Sequence, residues 1–136
     1  MGREPTVPGD LLAGIHVLVV EDNTDARELY KTVLQYAGAL VSVASRAEEA
    51  LRMCEQILPD VLVTDIAMPG RDGVWLVGEL KRLATDGHRS IPAVAVTGQG
   101  PAMARRYDAA GFAEVLHKPV DPWELCRVVE LHARRR

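Results

Sequence analysis

Short apolar runs alternate with longer segments of helical period along most of the chain. The runs are HVLVV (16–20), LVSVA (40–44), DVLVT (60–64), PAVAV (92–96) and AEVLH (113–117), whose length and β-branched content predict strands. The segments after them, Thr24–Ala37, Arg46–Leu58, Gly73–Ala84, Pro101–Ala110 and Pro122–Ala133, predict helices. In the second of these, Ala47, Ala50, Leu51, Cys54 and Leu58 recur at helical spacing, while Glu48, Glu49, Arg52 and Glu55 take the other side. Ala26, Leu29, Tyr30, Val33 and Ala37 repeat that spacing in the first. At the start of the last, Asp121 is placed to cap the helix with Pro122 in its first turn, and Leu125, Val128 and Val129 supply an apolar stripe.

Runs as continuously apolar as VLVV and VLV suit a sheet covered on both faces, which parallel sheets require. An open, doubly wound α/β sheet follows. Right-handed crossovers place the carboxyl ends of all its strands on one edge, so chemistry is expected there. A chain of 136 residues, 48% hydrophobic and 26% charged, has room for one domain with a core and not for two ordinary ones. Residues 1–10, with two prolines, two glycines and little apolar material, read as a flexible leader, and residues 11–136 as the domain.

The formal net charge of -3 and the scattered signs give no surface for nucleic acid or membrane. Arg134, Arg135 and Arg136 read as a solvated helix end. No apolar stretch reaches the roughly 20 residues that span a bilayer, and the first residues lack the apolar centre of a secretory signal, so a cytoplasmic location is expected. Cys54 and Cys126 sit inside apolar helical patterns without metal-ligand spacing and read as buried free thiols.

The residues that end the strands form a chemically loaded set. Glu21 and Asp22 end the first, Asp65 the third, Thr97 the fourth and Lys118 the fifth. Two carboxylates about 4 Å apart at an effective dielectric near 20 repel by roughly 4 kcal/mol, so something must compensate. Lys118 offsets one charge, and Mg²⁺ is the natural partner for the others because it takes oxygen ligands and shares its shell with phosphoryl oxygens. That set suits phosphoryl transfer, with Asp65 as the nucleophile, Glu21 and Asp22 holding Mg²⁺, and Lys118 and Thr97 each meeting an oxygen of the transferred group. Taken singly, each has a plainer reading: a helix cap for a lone Asp such as Asp72, a solvated loop for Glu21-Asp22, turn chemistry for Lys118-Pro119. Their joint placement at four strand ends overturns those readings.

VLVVEDN (17–23), PDVLVTDIAMPGRDG (59–73), AVTG (95–98) and AGF followed by KP (110–119) make the chain from about Ile15 onward resemble the receiver domain of two-component response regulators. The resemblance implies a flavodoxin-like fold with five parallel strands in order 2-1-3-4-5. It implies a phosphoaccepting regulator rather than an enzyme in the usual sense. A partner histidine kinase or histidine phosphotransfer protein then donates a phosphoryl group from phosphohistidine to Asp65. It further implies Mg²⁺ held by Asp22, Asp65 and the backbone carbonyl of Ala67, with Glu21 acting through water, and a cis Lys118-Pro119 bond. A homodimer through the segments 101–110, 114–117 and 122–133 is allowed by the same analogy.

The chain departs from the family pattern at Val115, where an aromatic usually relays the signal. Switching then runs through Thr97, the GQG loop and the helix after Pro101, or the domain switches little and serves as a phosphate shuttle or sink. Tyr107 and Phe112 are substitutes for that aromatic or plain packing. Ala67 and Gln99 flank the site, and the small Ala67 implies a long-lived acyl phosphate. His16, His88, His117 and His132 show no ligand spacing and read as structural or exposed.

Three alternatives compete. A haloacid-dehalogenase-type phosphatase needs its nucleophile on the first strand in a D-x-D arrangement, whereas Asp65 comes third. A flavin-binding module needs a Ser/Thr/Gly-rich phosphate loop where this chain has EDNTDA. A phosphate-independent docking receiver has no need of the complete set of acids, hydroxyl and lysine.

Overall fold

The computed structural model describes residues 8–98, 107 and 110–134. In chain order the elements are β1 (His16–Val20), α1 (Thr24–Tyr36), β2 (Leu40–Ala44), α2 (Ala47–Gln56), β3 (Val61–Asp65), α3 (Gly73–Thr85), β4 (Ala93–Thr97), β5 (Glu114–His117) and a C-terminal helix, α4 (Pro122–Ala133). The strands form one parallel sheet in the order β2-β1-β3-β4-β5. This is the expected doubly wound, flavodoxin-like arrangement. Of the helix predicted over Pro101–Ala110, Tyr107 and Ala110 are described and helical; its other residues and Gln99 lie outside the described residues.

Strand alternation sorts the apolar side chains into two layers. Val17, Val19, Val61, Val63, Val94 and Val96 meet Tyr30, Val33 and Leu34 of α1 and Leu125, Cys126 and Val129 of α4. Leu18, Val20, Leu62, Ala93 and Ala95 meet Ala47, Ala50 and Cys54 of α2 and Leu76, Val77 and Leu80 of α3. Complete burial of a Leu or Val stabilises by about 1.5–3 kcal/mol relative to exposure. The three central strands are buried over nearly their whole length, so the helices are held chiefly by the sheet they cover.

Capping fixes where the helices begin. Asn23 Oδ1 accepts from the Ala26 amide at 2.8 Å, Asp72 Oδ1 from the Trp75 amide at 2.9 Å, and Asp121 Oδ1 from the Trp123 amide at 2.9 Å with Pro122 just inside the helix. Between α1 and β2 the chain turns at Gly38, whose φ is +102°. A Cβ there would lie 2.9 Å from the Gly9 carbonyl oxygen, so both the backbone conformation and the close approach require glycine.

One expectation fails. Leu29, placed by spacing on the buried face of α1, is 48% exposed, whereas Leu34 is fully buried. The buried stripe of α1 centres on Tyr30, Val33, Leu34 and Ala37, and Leu29 lies at its flank because β1, β2 and α4 meet the helix from the other side. No described helix is long and apolar enough to cross a membrane.

Cys54 and Cys126 are buried and free. Burial pushes each thiol up to about 11, with Glu55 adding to the effect at Cys54. The native protein should therefore label negligibly with a thiol reagent at neutral pH and react at both cysteines once unfolded in denaturant. Prompt stoichiometric labelling of the native state would contradict this packing.

Candidate functional site

Every residue of the strand-end set stands on the carboxyl edge of the sheet. Asp65 and Thr97 are the last residues of β3 and β4, Glu21 and Asp22 directly follow β1, and Lys118 directly follows β5. Asp65 is 8% exposed, Glu21 and Thr97 1% each, while Asp22 is exposed. The carboxylates of Glu21, Asp22 and Asp65 each offer an oxygen within 4.8 Å of the others. No other cluster of potential metal-ligating His, Cys, Asp and Glu side chains forms among the described residues. Lys118 Nζ lies 3.2 Å from Asp65 Oδ2 and 3.4 Å from Glu21 Oε1. One ammonium thus serves two carboxylates, where the sequence suggested that it offsets one.

Local backbone chemistry builds this geometry. The Glu21 amide donates to the Ala44 carbonyl at 3.1 Å, which carries the β1 register one residue past the strand. Glu21 Oε2 accepts from the Asn23 amide at 3.0 Å, and the Glu21 carbonyl accepts from Arg27 at 2.9 Å. Asn23 therefore caps α1 through its side chain and orients Glu21 through its backbone. On the far side, the Lys118 amide donates to the Thr97 carbonyl at 2.8 Å, and the Lys118-Pro119 bond is cis as the resemblance implies.

Asp65 is positioned by packing as much as by bonding. The Ile66 amide donates to Val96, and the Gly73 amide donates to the Ile66 carbonyl at 3.0 Å, closing the loop from β3 to α3. A Cβ on Gly73 would stand 2.6 Å from the Asp65 carbonyl oxygen. Only glycine lets α3 begin that close to the end of β3. Ala67 is exposed in this loop, and beyond it the Arg71 guanidinium stacks 4.9 Å from the centre of the Trp75 ring.

The charges respond to one another as their spacing demands. Burial pushes the Glu21 carboxyl above its usual range. The Asn23 amide opposes this, the charge of Asp65 reinforces it, and Lys118 opposes it. Burial acts to pull the Lys118 ammonium down, but Asp65 and Glu21 outweigh it and hold that group above its ordinary value. Tyr30, which spacing assigned simply to the buried face of α1, is near enough to be raised by burial and to feel Lys118, Glu21 and Asp65. Nothing in the sequence signals that proximity, because it depends on how α1 lies over the end of β1.

The remaining expectations fall on the core or elsewhere. Tyr107 and Phe112 are buried in the apolar layer with α2 and α3, and Val115 packs against the same layer. His16 meets Ser42 Oγ at 2.8 Å, His88 meets the Leu83 carbonyl and His132 meets Glu114; none of these joins the acidic cluster.

Residues 17–130 match the family model described as the response regulator receiver domain. The chain is 43% identical over 124 residues to an uncharacterized 14.6 kDa protein of Leptolyngbya boryana, covering 88% of this chain and 90% of that protein. It is 35% identical to a stretch of the sensor histidine kinase AruS of Pseudomonas aeruginosa, covering 91% of this chain but 12% of the kinase. Among solved structures it is similar to the receiver domain of the histidine kinase CKI1 from Arabidopsis thaliana complexed with Mg²⁺, with a TM-score of 0.79, 28% identity and coverage of 91% of this chain and 95% of that one.

The raised Glu21 carboxyl gives a sign to the site's energetics. A folded-state pKa above the unfolded one contributes stability below the unfolded value and loses it as pH rises through the folded value, so the fold carries the cost of ionising Glu21 beside Asp65 once the pH passes that raised value. Asp65→Asn should raise the metal-free melting temperature by a few degrees, on the order of 1 kcal/mol. Mg²⁺ should then stabilise the wild type more than the variant. Equal Mg²⁺-induced melting shifts in both proteins would sink the three-carboxylate site.

Proposed function

The chain belongs to the response regulator receiver domain family of two-component signalling, and from that premise we propose that Asp65 accepts a phosphoryl group from the phosphohistidine of a histidine kinase or histidine phosphotransfer protein. The observation that carries this reading is the contact of Lys118 Nζ with both Asp65 and Glu21, with Asp22 alongside. Buried carboxylates are costly unless paired or bound to a metal, and one lysine shared between two of them leaves negative charge for a cation to offset.

The residues divide the work. An Asp65 carboxylate oxygen attacks the phosphorus, the P–N bond to the donor imidazole breaks, and its electron pair returns to the ring nitrogen. Lys118, already 3.2 Å from Asp65 Oδ2, follows the negative charge onto an oxygen of the transferred group. Thr97, buried at the end of β4, donates its hydroxyl to another. Asp22, Asp65 and the Ala67 carbonyl would hold Mg²⁺, with Glu21 acting through water; three clustered carboxylates with a single lysine are a donor set that fits such a hard cation. When bound, the ion supplies the positive charge that lets acids and phosphoryl oxygens share one site. Because Val115 offers no rotating ring, the signal leaves the site through Thr97 and the segment that follows it.

Intact mass spectrometry after incubation with a small acyl-phosphate donor tests the proposal. One phosphoryl adduct that requires Mg²⁺ and is absent from Asp65→Asn is expected. An adduct that survives in the variant would overturn Asp65 as acceptor, and no adduct with either the small donor or a phosphorylated phosphotransfer protein would favour a phosphate-independent docking domain.

A further inference from the structure

The two edges of the sheet are guarded differently. β5 carries Glu114, held 2.9 Å from His132, together with His117. β2 reads LVSVA, and no charged residue stands between Gly38 and Ser45. Natural sheet edges are usually blunted by a charge, a proline or a bulge against pairing with another chain. β2 has none of these, and its register with β1 is unbroken.

Its backbone is only half committed. The Leu40 amide donates to the Ile15 carbonyl at 2.9 Å, and the Ala44 carbonyl accepts from Glu21 at 3.1 Å. Residues 40, 42 and 44 therefore face β1, and by alternation the amides and carbonyls of Val41 and Val43 point away from the sheet. Among the described residues β2 pairs with β1 alone. The side chains leave this corner open as well. Leu40 is 69% and Ile57 68% exposed, and a cavity of about 160 Å³ lined by His16, Leu18, Ser42, Met53 and Ile57, among others, opens where α2 leaves β1 and β2 uncovered.

We infer that β2 is a self-association edge, on which two copies pair β2 antiparallel to β2 about a two-fold axis through Ser42. In that register Val41 exchanges both backbone hydrogen bonds with Val43 of the second copy, and Val43 with its Val41. Each outward group of both strands finds a partner, which is the self-complementarity that a two-fold contact demands. Leu40, largely exposed in one copy, comes to lie opposite residue 44 of the second. Two uncharged edges meet without like-charge repulsion, whereas the β5 edge would bring Glu114 toward its own copy. Only two residues of each strand supply outward groups, so the contact is smaller than a standard stable interface and its dimer is weak and concentration-dependent. The surface is on the opposite side of the sheet from β5, and the inference does not rest on the phosphoryl chemistry.

Sedimentation velocity on the whole chain over a wide concentration range, with residue-resolved amide exchange, tests it. A dimer fraction that grows with concentration is expected, with the Val41 and Val43 amides gaining protection in step. Val43→Pro removes an outward donor while sparing the ladder to β1, and should weaken association roughly tenfold or more. Leu40→Lys should weaken it too, and it decides the matter if the proline variant folds poorly, since Leu40 is largely exposed. A monomer at every concentration, which would leave the edge to an extended segment of another protein, overturns the inference. So does a dimer that both variants leave intact or whose formation leaves the Val41 and Val43 amides unchanged.

Discussion

Three carboxylates gathered around one ammonium set the terms for this molecule. Glu21, Asp22 and Asp65 bring their oxygens within 4.8 Å of one another, and Lys118 touches the two that are buried. Repulsion between neighbouring carboxylates at such spacing is of the order of several kcal/mol, a large share of what a domain of this size has in total. The fold tolerates this because the apolar layers on both faces of the sheet stabilise it independently of the edge where the charges meet.

Position follows from topology. A parallel sheet delivers the carboxyl ends of β1, β3, β4 and β5 to one rim, so residues far apart in sequence become neighbours without any long-range loop. Short backbone devices then set the last ångströms. Asn23 bonds Glu21 while capping α1, Gly73 lets α3 start against the Asp65 carbonyl, and Thr97 holds the Lys118 amide. Each device is a strand-end or helix-start feature, and beside them the loop around Ala67 stands exposed.

Much of this was legible in the sequence. Near-continuous apolar runs fixed the parallel sheet, and the acids, hydroxyl and lysine were visible as the residues that end those runs. What was not legible depends on rotation and approach. Helical spacing alone placed Leu29 inside, because Leu29 and Leu34 flank the same stripe and only the neighbouring elements decide which is covered. The proximity of Tyr30 to the charges, and the bond from Arg27 to the Glu21 carbonyl, arise from how α1 lies over β1. The double contact of Lys118 could not be read either, since a lysine's reach is set by the angle between β5 and its neighbours. The need for glycine at position 73 was hidden because Asp-Gly reads first as turn chemistry.

The charge balance itself is open to direct measurement. Carboxyl-carbon NMR across a pH titration follows Glu21 in the wild type, in Lys118→Met and with Mg²⁺ added. Glu21 is predicted to titrate above the ordinary carboxylate range, to rise further when Lys118 is removed, and to fall when Mg²⁺ binds. An ordinary Glu21 titration that neither change moves would contradict a site built on shared charge.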